Sequence, residues 1–247
     1  MKNQYIGDIG DYGKYGLIRF FRDAGIKIGI NWYLTPNDNR TDGNHTEYLY
    51  DERMRIYDEK VFDAMKELAF RSDKCIQMVE ENGILDGICF YNNEMNFDQY
   101  HWSERTNKRY RWHLQALDIL RNVDLVFMDP DNSLSLTKKA TQKGAQKYIL
   151  PIEICDYYNR GQQIVYYHHR SRSNETGWMK EKTQIKTFLP EACLLAVTFH
   201  RWSSRTYIFV LQKEKFELYK QIINRFLSSE WGTTKIDGKA SFSIETI

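Results

Sequence analysis

The chain has 247 residues, with 35 Lys and Arg against 33 Asp and Glu. The resulting net charge of +2 is too small by itself to argue for a polyanionic partner. A hydrophobic fraction of 42% with 15% aromatics excludes disorder. The longest apolar runs, such as residues 193–199, fall far short of the ~20 residues a membrane helix needs. Met1-Lys2-Asn3-Gln4-Tyr5 leads into polar, glycine-rich sequence without an apolar signal core, so the expected location is the cytoplasm. Cys75, Cys89, Cys155 and Cys193 are scattered among apolar neighbours and read as small buried hydrophobes rather than metal ligands or disulfides. No repeat or linker divides the chain, and a single domain over residues 1–247 is expected.

In chain order, the pattern predicts a helix over residues 14–24 with Leu17, Ile18 and Phe21 on one face, closed by Gly25. A strand over 26–34 follows, and then a loop over 35–45 rich in Asn, Asp and Gly. Val61, Phe62, Met65, Leu68 and Ala69 have helical spacing, and residues 87–92 read as a strand. A helix over 109–120 leads into residues 124–128, an apolar run of the kind buried on both faces of a parallel sheet. After a polar loop at 131–146 come a short strand near Tyr148, a helix over 152–158, a strand over 163–167 and a helix over 183–188. Residues 193–199 and 206–211 form an antiparallel pair around Ser203-Ser204, and Phe216, Tyr219, Ile222, Ile223 and Phe226 mark a last amphipathic helix. Helices alternating with apolar strands imply an α/β fold, a Rossmann-like doubly wound, mostly parallel sheet with an antiparallel C-terminal hairpin supplying a reversed edge strand.

Ligands in such sheets sit at the carboxyl ends of the strands. One predicted strand ends there in Asp129-Pro130-Asp131-Asn132. An Asp in that place accepts hydrogen bonds from a substrate amino group, and the proline stiffens the loop. Residues 7–16, Gly-Asp-Ile-Gly-Asp-Tyr-Gly-Lys-Tyr-Gly, place Asp11, Tyr12 and Lys14 beside glycines at a helix start, where a backbone can approach a ligand closely. Tyr166-Tyr167-His168-His169-Arg170 is a further strand ending in ionisable groups; adjacent residues of a strand face opposite ways, so at most one of the two histidines shares a face with Asp129, and His168 is the candidate. The loop after the first strand offers Tyr33, Asp38, Asp42, Gly43, Asn44 and His45, and the next strand end offers Asn92, Asn93 and Glu94. Arg201-Trp202-Ser203-Ser204-Arg205 reads either as a surface hairpin or as a phosphate contact. Basic residues interleaved with aromatics, such as Arg105, Lys108, Arg109 and Arg111 around Tyr110 and Trp112, and Lys138, Lys139, Lys143 and Lys147, suit either a solvated surface or DNA or RNA.

The order of these pieces resembles the class I Rossmann-like S-adenosylmethionine-dependent methyltransferases, and loosely the bacterial 23S ribosomal RNA adenine-N6 methyltransferase family. That family opens with a Lys-bearing helix motif, to which Asp11-Tyr12-Gly13-Lys14 is similar, ahead of a first strand and cofactor loop, to which residues 32–44 are similar. Its catalytic tetrad is Asp-Pro-Pro-Tyr; Asp129-Pro130-Asp131-Asn132 matches the first two positions and replaces the base-stacking aromatic with Asn132. The Gly-x-Gly cofactor turn is replaced by Pro36-Asn37-Asp38 and Asp42-Gly43-Asn44. The decapeptide at 7–16, Asp-Pro-Asp-Asn and Tyr-His-His together resemble a group of bacterial and phage proteins over most of the chain. The methyltransferase resemblance implies cofactor contacts from Asp11, Tyr12, Lys14, Tyr33, Asp38, Asp42, Gly43 and Asn44, with Asp129 and Asn132 orienting the acceptor on a nucleic acid or a small molecule. Two other readings stay open. One is a nuclease or phosphohydrolase using Mg or Mn held by Asp129, Asp131, a histidine and Asp11. The other is a non-catalytic nucleotide-binding module.

Overall fold

The computed structural model describes residues 1–38, 44–169 and 177–245. The elements in order are α1 (Ile9–Asp23), β1 (Ile28–Asn31), α2 (Glu59–Ala69), α3 (Ile76–Glu81), β2 (Cys89–Tyr91), α4 (Trp102–Ile119), β3 (Leu125–Met128), α5 (Pro151–Asn159) and β4 (Gln163–His169). They continue with α6 (Gly177–Phe188), β5 (Cys193–Phe199), β6 (Arg205–Leu211), α7 (Phe216–Leu227), α8 (Glu230–Thr233), β7 (Lys235–Ile236), β8 (Lys239–Ala240) and β9 (Phe242–Ile244). Among these elements no helix is long and apolar enough to cross a membrane.

Seven strands form one sheet in the order β2-β1-β3-β4-β6-β5-β9, and β7 and β8 make a separate small hairpin. Strands β1 to β4 pair in parallel, with Asn31 opposite Met128 and Met128 opposite Tyr166. β6 runs antiparallel to both β4 and β5. The reversed strand is therefore interior, and the edge predicted for it is taken by β9, which pairs with β5. The predicted strand near Tyr148 reduces to an isolated bridge between Leu134 and Ile149.

Alternation along each strand sorts its side chains onto two faces. Ile28, Ile30, Leu125, Phe127, Val165, Tyr207 and Phe209 pack with residues of α1, α2, α3 and α7. Val126, Met128, Ile164, Tyr166, Ile208 and Val210 pack with residues of α4, α5 and α6 on the other face. Helices cover both faces, as the apolar strand pattern requires.

α1 starts five residues earlier than its apolar spacing predicts. Asp8 caps it, accepting from the Gly10 amide at 2.7 Å, and the glycine-rich stretch lies inside the helix. Glycine in a helix interior costs roughly 0.5–1 kcal/mol relative to Ala, and close packing offsets it here. A Cβ on Gly13 would come within 2.8 Å of the Phe199 ring, and one on Gly16 would overlap Trp231. These two glycines serve packing against the sheet and α8 rather than approach to a ligand.

Candidate functional site

The carboxyl ends of β3 and β4 and the start of β6 meet the first turns of α1 around a cavity of about 640 Å³, within the usual size range of small-molecule sites. Strand alternation determines what enters it. Asp129 continues the face of Leu125 and Phe127, toward α1. Tyr167, Arg205 and Tyr207 reach the same cavity from β4 and β6. The chain leaves β1 outward to β2 and returns on the opposite side as β3, so the cavity adjoins the point where strand order reverses.

At its floor the Lys14 ammonium lies 2.8 Å from Asp11 Oδ1 and 2.7 Å from Asp129 Oδ2, and all three side chains are buried. Burial works against the Lys14 charge, but Asp11 and Asp129 outweigh it and hold its pKa well above the ordinary lysine value. For Asp11 burial dominates and the pKa is raised despite Lys14. Burial, with the Asp129 and Asp8 carboxylates adding to it, pushes the Tyr167 phenol up to about 12. Asp8 is shared between the α1 cap and Arg205, whose Nη2 donates to Oδ1 at 2.7 Å. Asp131 accepts from Thr35 Oγ1 at 2.9 Å and from the Met1 amine at 2.8 Å. The same amine donates to the carbonyls of Tyr33 and Asp129 at 3.2 and 3.1 Å. Of the four carboxylates around the cavity, Asp8 and Asp131 each meet their own cation and Asp11 and Asp129 share Lys14, while Lys138 and Lys147 also line it with no carboxylate partner among the described residues. The balance favours an anionic ligand group.

Of the residues singled out from the sequence, Asp11, Lys14, Asp129, Pro130, Asp131 and Asn132 all border this cavity. Asn132 is held by its amide, which donates to the Lys147 carbonyl at 2.9 Å. Asp38 does not line the cavity and is ion-paired with the cavity residue Lys2. Asn44 is exposed, and Asp42 and Gly43 lie outside the described residues. Tyr12 is not brought to the cavity: it is fully buried with its hydroxyl donating to the Met54 carbonyl at 2.6 Å. Tyr33 also turns away, its hydroxyl donating to Glu153 at 2.9 Å on the opposite face. Its backbone takes φ +44°, the left-handed conformation that a glycine turn after the first strand would adopt.

His168 falls on the α4–α6 face with Tyr166, one residue out of phase with Asp129 and Tyr167. Its Nδ1 lies 2.7 Å from Ser133 Oγ, and Ser133 and Tyr166 both donate to Glu181. Tyr167 takes the place predicted for His168. The side chain of His169 lies outside the described set. Asn92 donates to Glu80 at 2.8 Å instead of facing the cavity.

Arg105 and Arg109, read from the sequence as part of a basic surface, are buried. Arg105 donates to the carbonyls of Tyr100, Thr141 and Asp98. Arg109 binds Glu153 at 2.6 Å and the carbonyls of Ala145 and Tyr148, fastening the 131–148 loop against α5. Glu153 went unnoticed in the sequence, although Pro151 two residues earlier marks a helix start at which an acidic third residue folds back to its cap; it accepts from the Leu150 amide at 2.9 Å.

Asp129 and Asp131 are directed to different partners, Lys14 and Thr35. Among the described residues no three His, Cys, Asp or Glu side chains gather as a metal ion would require.

No family model and no curated protein matches the chain. A solved structure of protein LPL1258 from Legionella pneumophila str. Philadelphia 1, of family DUF519, is similar at 10% identity over 99% of this chain and 97% of that one, with a TM-score of 0.48.

Proposed function

We propose that this chain is an S-adenosylmethionine-dependent methyltransferase with a Rossmann-like doubly wound sheet, acting on a nitrogen or oxygen acceptor in nucleic acid. The observation that carries the reading is the Lys14–Asp129 bridge. It joins a helix that precedes β1 to the Asp-Pro turn ending β3, across the reversal of strand order where such sheets hold ligands. The mostly parallel sheet with its antiparallel C-terminal hairpin supports the reading, although the reversed strand lies inside the sheet and not at the edge expected for it.

The Tyr33 and Asp129 carbonyls and the Asp131 carboxylate are taken by the Met1 amine, so the cofactor's charged groups would meet the rest of the lining. Lys138 and Lys147 offer unpaired positive charge to a carboxylate or phosphate. When bound, S-adenosylmethionine supplies a methyl group on a positively charged sulfur. The protein's part is positioning. Lys14 fixes the rotamer of Asp129 and Pro130 stiffens the turn, and Asp129 and Asn132 would orient the acceptor nitrogen or oxygen.

Calorimetric titration with S-adenosylmethionine and S-adenosylhomocysteine, with and without Mg or Mn, tests the reading. Saturable binding that needs no metal is expected, weakened about tenfold or more by Lys14→Ala, which frees Asp129 from the charge-assisted contact that holds it. Metal binding without cofactor binding sinks the proposal and turns attention to phosphoester hydrolysis.

A further inference from the structure

The turn between β5 and β6 presents an aromatic side chain with no partner in the core. Trp202 is 66% exposed, unusual for the largest apolar side chain. Its backbone lies at φ +62°, a left-handed conformation that an L-residue with a bulky side chain avoids. Such a residue persists where its surroundings hold it and something is gained from its placement.

The surroundings do hold it. Arg205 Nη1 donates to the carbonyls of Arg201 and Ser203 at 3.4 and 3.2 Å, closing the turn from beneath. Arg201 spends its guanidinium on Ser241 Oγ and the carbonyls of Ile236 and Lys239, tying the turn to the β7–β8 hairpin and β9 region. The Trp202 ring packs against His45, with centroids 4.3 Å apart and planes at 30°. His45, Ser203 and Arg205 line the cavity that Asp129 also lines. One face of the indole is backed by the imidazole of the lining residue His45, and Trp202 adjoins the lining residue Ser203 along the chain. β6 lies beside β4, on the side of the sheet away from β2.

We infer that Trp202, backed by His45, is a stacking platform for an unpaired nucleobase. The inference rests on the methyltransferase reading for the base's role as acceptor, and it supplies from a different turn the aromatic surface that Asn132 cannot offer. A flat ring stacked on a preorganised aromatic side chain needs no hydrogen-bond code, so the platform accepts any base. Lys138 and Lys147 on the same cavity suit the adjoining phosphates.

The test uses a short single-stranded oligodeoxynucleotide carrying one 2-aminopurine, whose fluorescence is quenched on stacking. The intact protein is expected to quench it. Trp202→Ala abolishes the quenching and weakens binding about tenfold to a hundredfold, as loss of one base–aromatic stack does. Trp202→Phe restores most of both, and Trp202→Ala leaves S-adenosylmethionine affinity unchanged. No quenching by the intact protein, or equal quenching by Trp202→Ala, overturns the platform. Quenching that depends on Trp202 in a protein that does not bind S-adenosylmethionine upholds the platform and removes the methyl-transfer reading alone.

Discussion

Two clusters of buried charge lie on opposite faces of the same sheet, and they differ in what they border. Arg109 and Glu153 are 3% and 2% exposed, and every partner they take is a protein group: each other, the Tyr33 hydroxyl, a backbone amide and two loop carbonyls. Lys14, Asp11 and Asp129 are nearly as buried, yet they form the floor of a cavity. Buried charge alone does not mark a site. The first cluster is saturated and holds the loop after Asp129 in place, whereas the second is aimed at space that a ligand can fill.

The comparison breaks most sharply under substitution of one partner in the sealed cluster. Arg109→Met leaves Glu153 without its cation and is expected to cost about 3–5 kcal/mol in urea unfolding. Ligand affinity per folded molecule should change less than stability. The effect depends on pH. Burial pushes the Glu153 pKa up, but Arg109 outweighs it and holds the value below 4.5 in the folded protein. A depressed carboxylate contributes stability above its unfolded value and loses it as pH falls through the folded one. The gap in stability between wild type and Glu153→Gln should therefore narrow on acidification below about pH 4.5. A gap independent of pH would show that the charge of Glu153 contributes nothing.

Lys14→Met in the open cluster should cost less, about 2–3 kcal/mol, because Asp11, already raised by burial, can take up a proton and relieve the unpaired charge. Here cofactor binding should fall together with stability, and Lys14→Arg should recover stability better than binding. Equal losses of stability with no loss of binding would place Lys14 in the same structural class as Arg109.

Gly16→Ala introduces a methyl where the Trp231 ring sits and should lower stability by about 1–3 kcal/mol, read by thermal unfolding, with the cavity untouched. The smallest expected effect has the opposite sign. Trp202→Gly relieves the left-handed backbone and should raise stability by about 1 kcal/mol while removing nucleobase stacking. A stability gain with loss of binding is the signature of strain kept for function.

Much of this was readable along the chain. The apolar run ending at Met128 and the Asp-Pro that follows it located the carboxyl end of a central strand, and the amphipathic spacing of α2 and α7 identified those helices. The parity argument that only one of two adjacent histidines can share a face with Asp129 was sound, but parity needs a register. The pairing of Met128 with Tyr166 puts Tyr167, not His168, beside Asp129. Within the basic cluster at 105–111, Arg105 and Arg109 left the surface for a related reason: side-chain composition does not tell whether a guanidinium faces water or a loop's carbonyls, and these two face carbonyls.

The sequence by itself determined an alternation of apolar strands and helices, a carboxylate at a strand end and a lysine on an early helix, because period and local capping are properties of neighbouring residues. Folding in three dimensions was needed to bring Lys14 to Asp129 across 115 positions of chain, to commit Gly13 and Gly16 to packing, and to set an exposed tryptophan on His45, which lines the same cavity. Those outcomes depend on register and on which helix covers which face. These follow from burying both faces of the sheet at once, a condition that no local stretch of sequence contains.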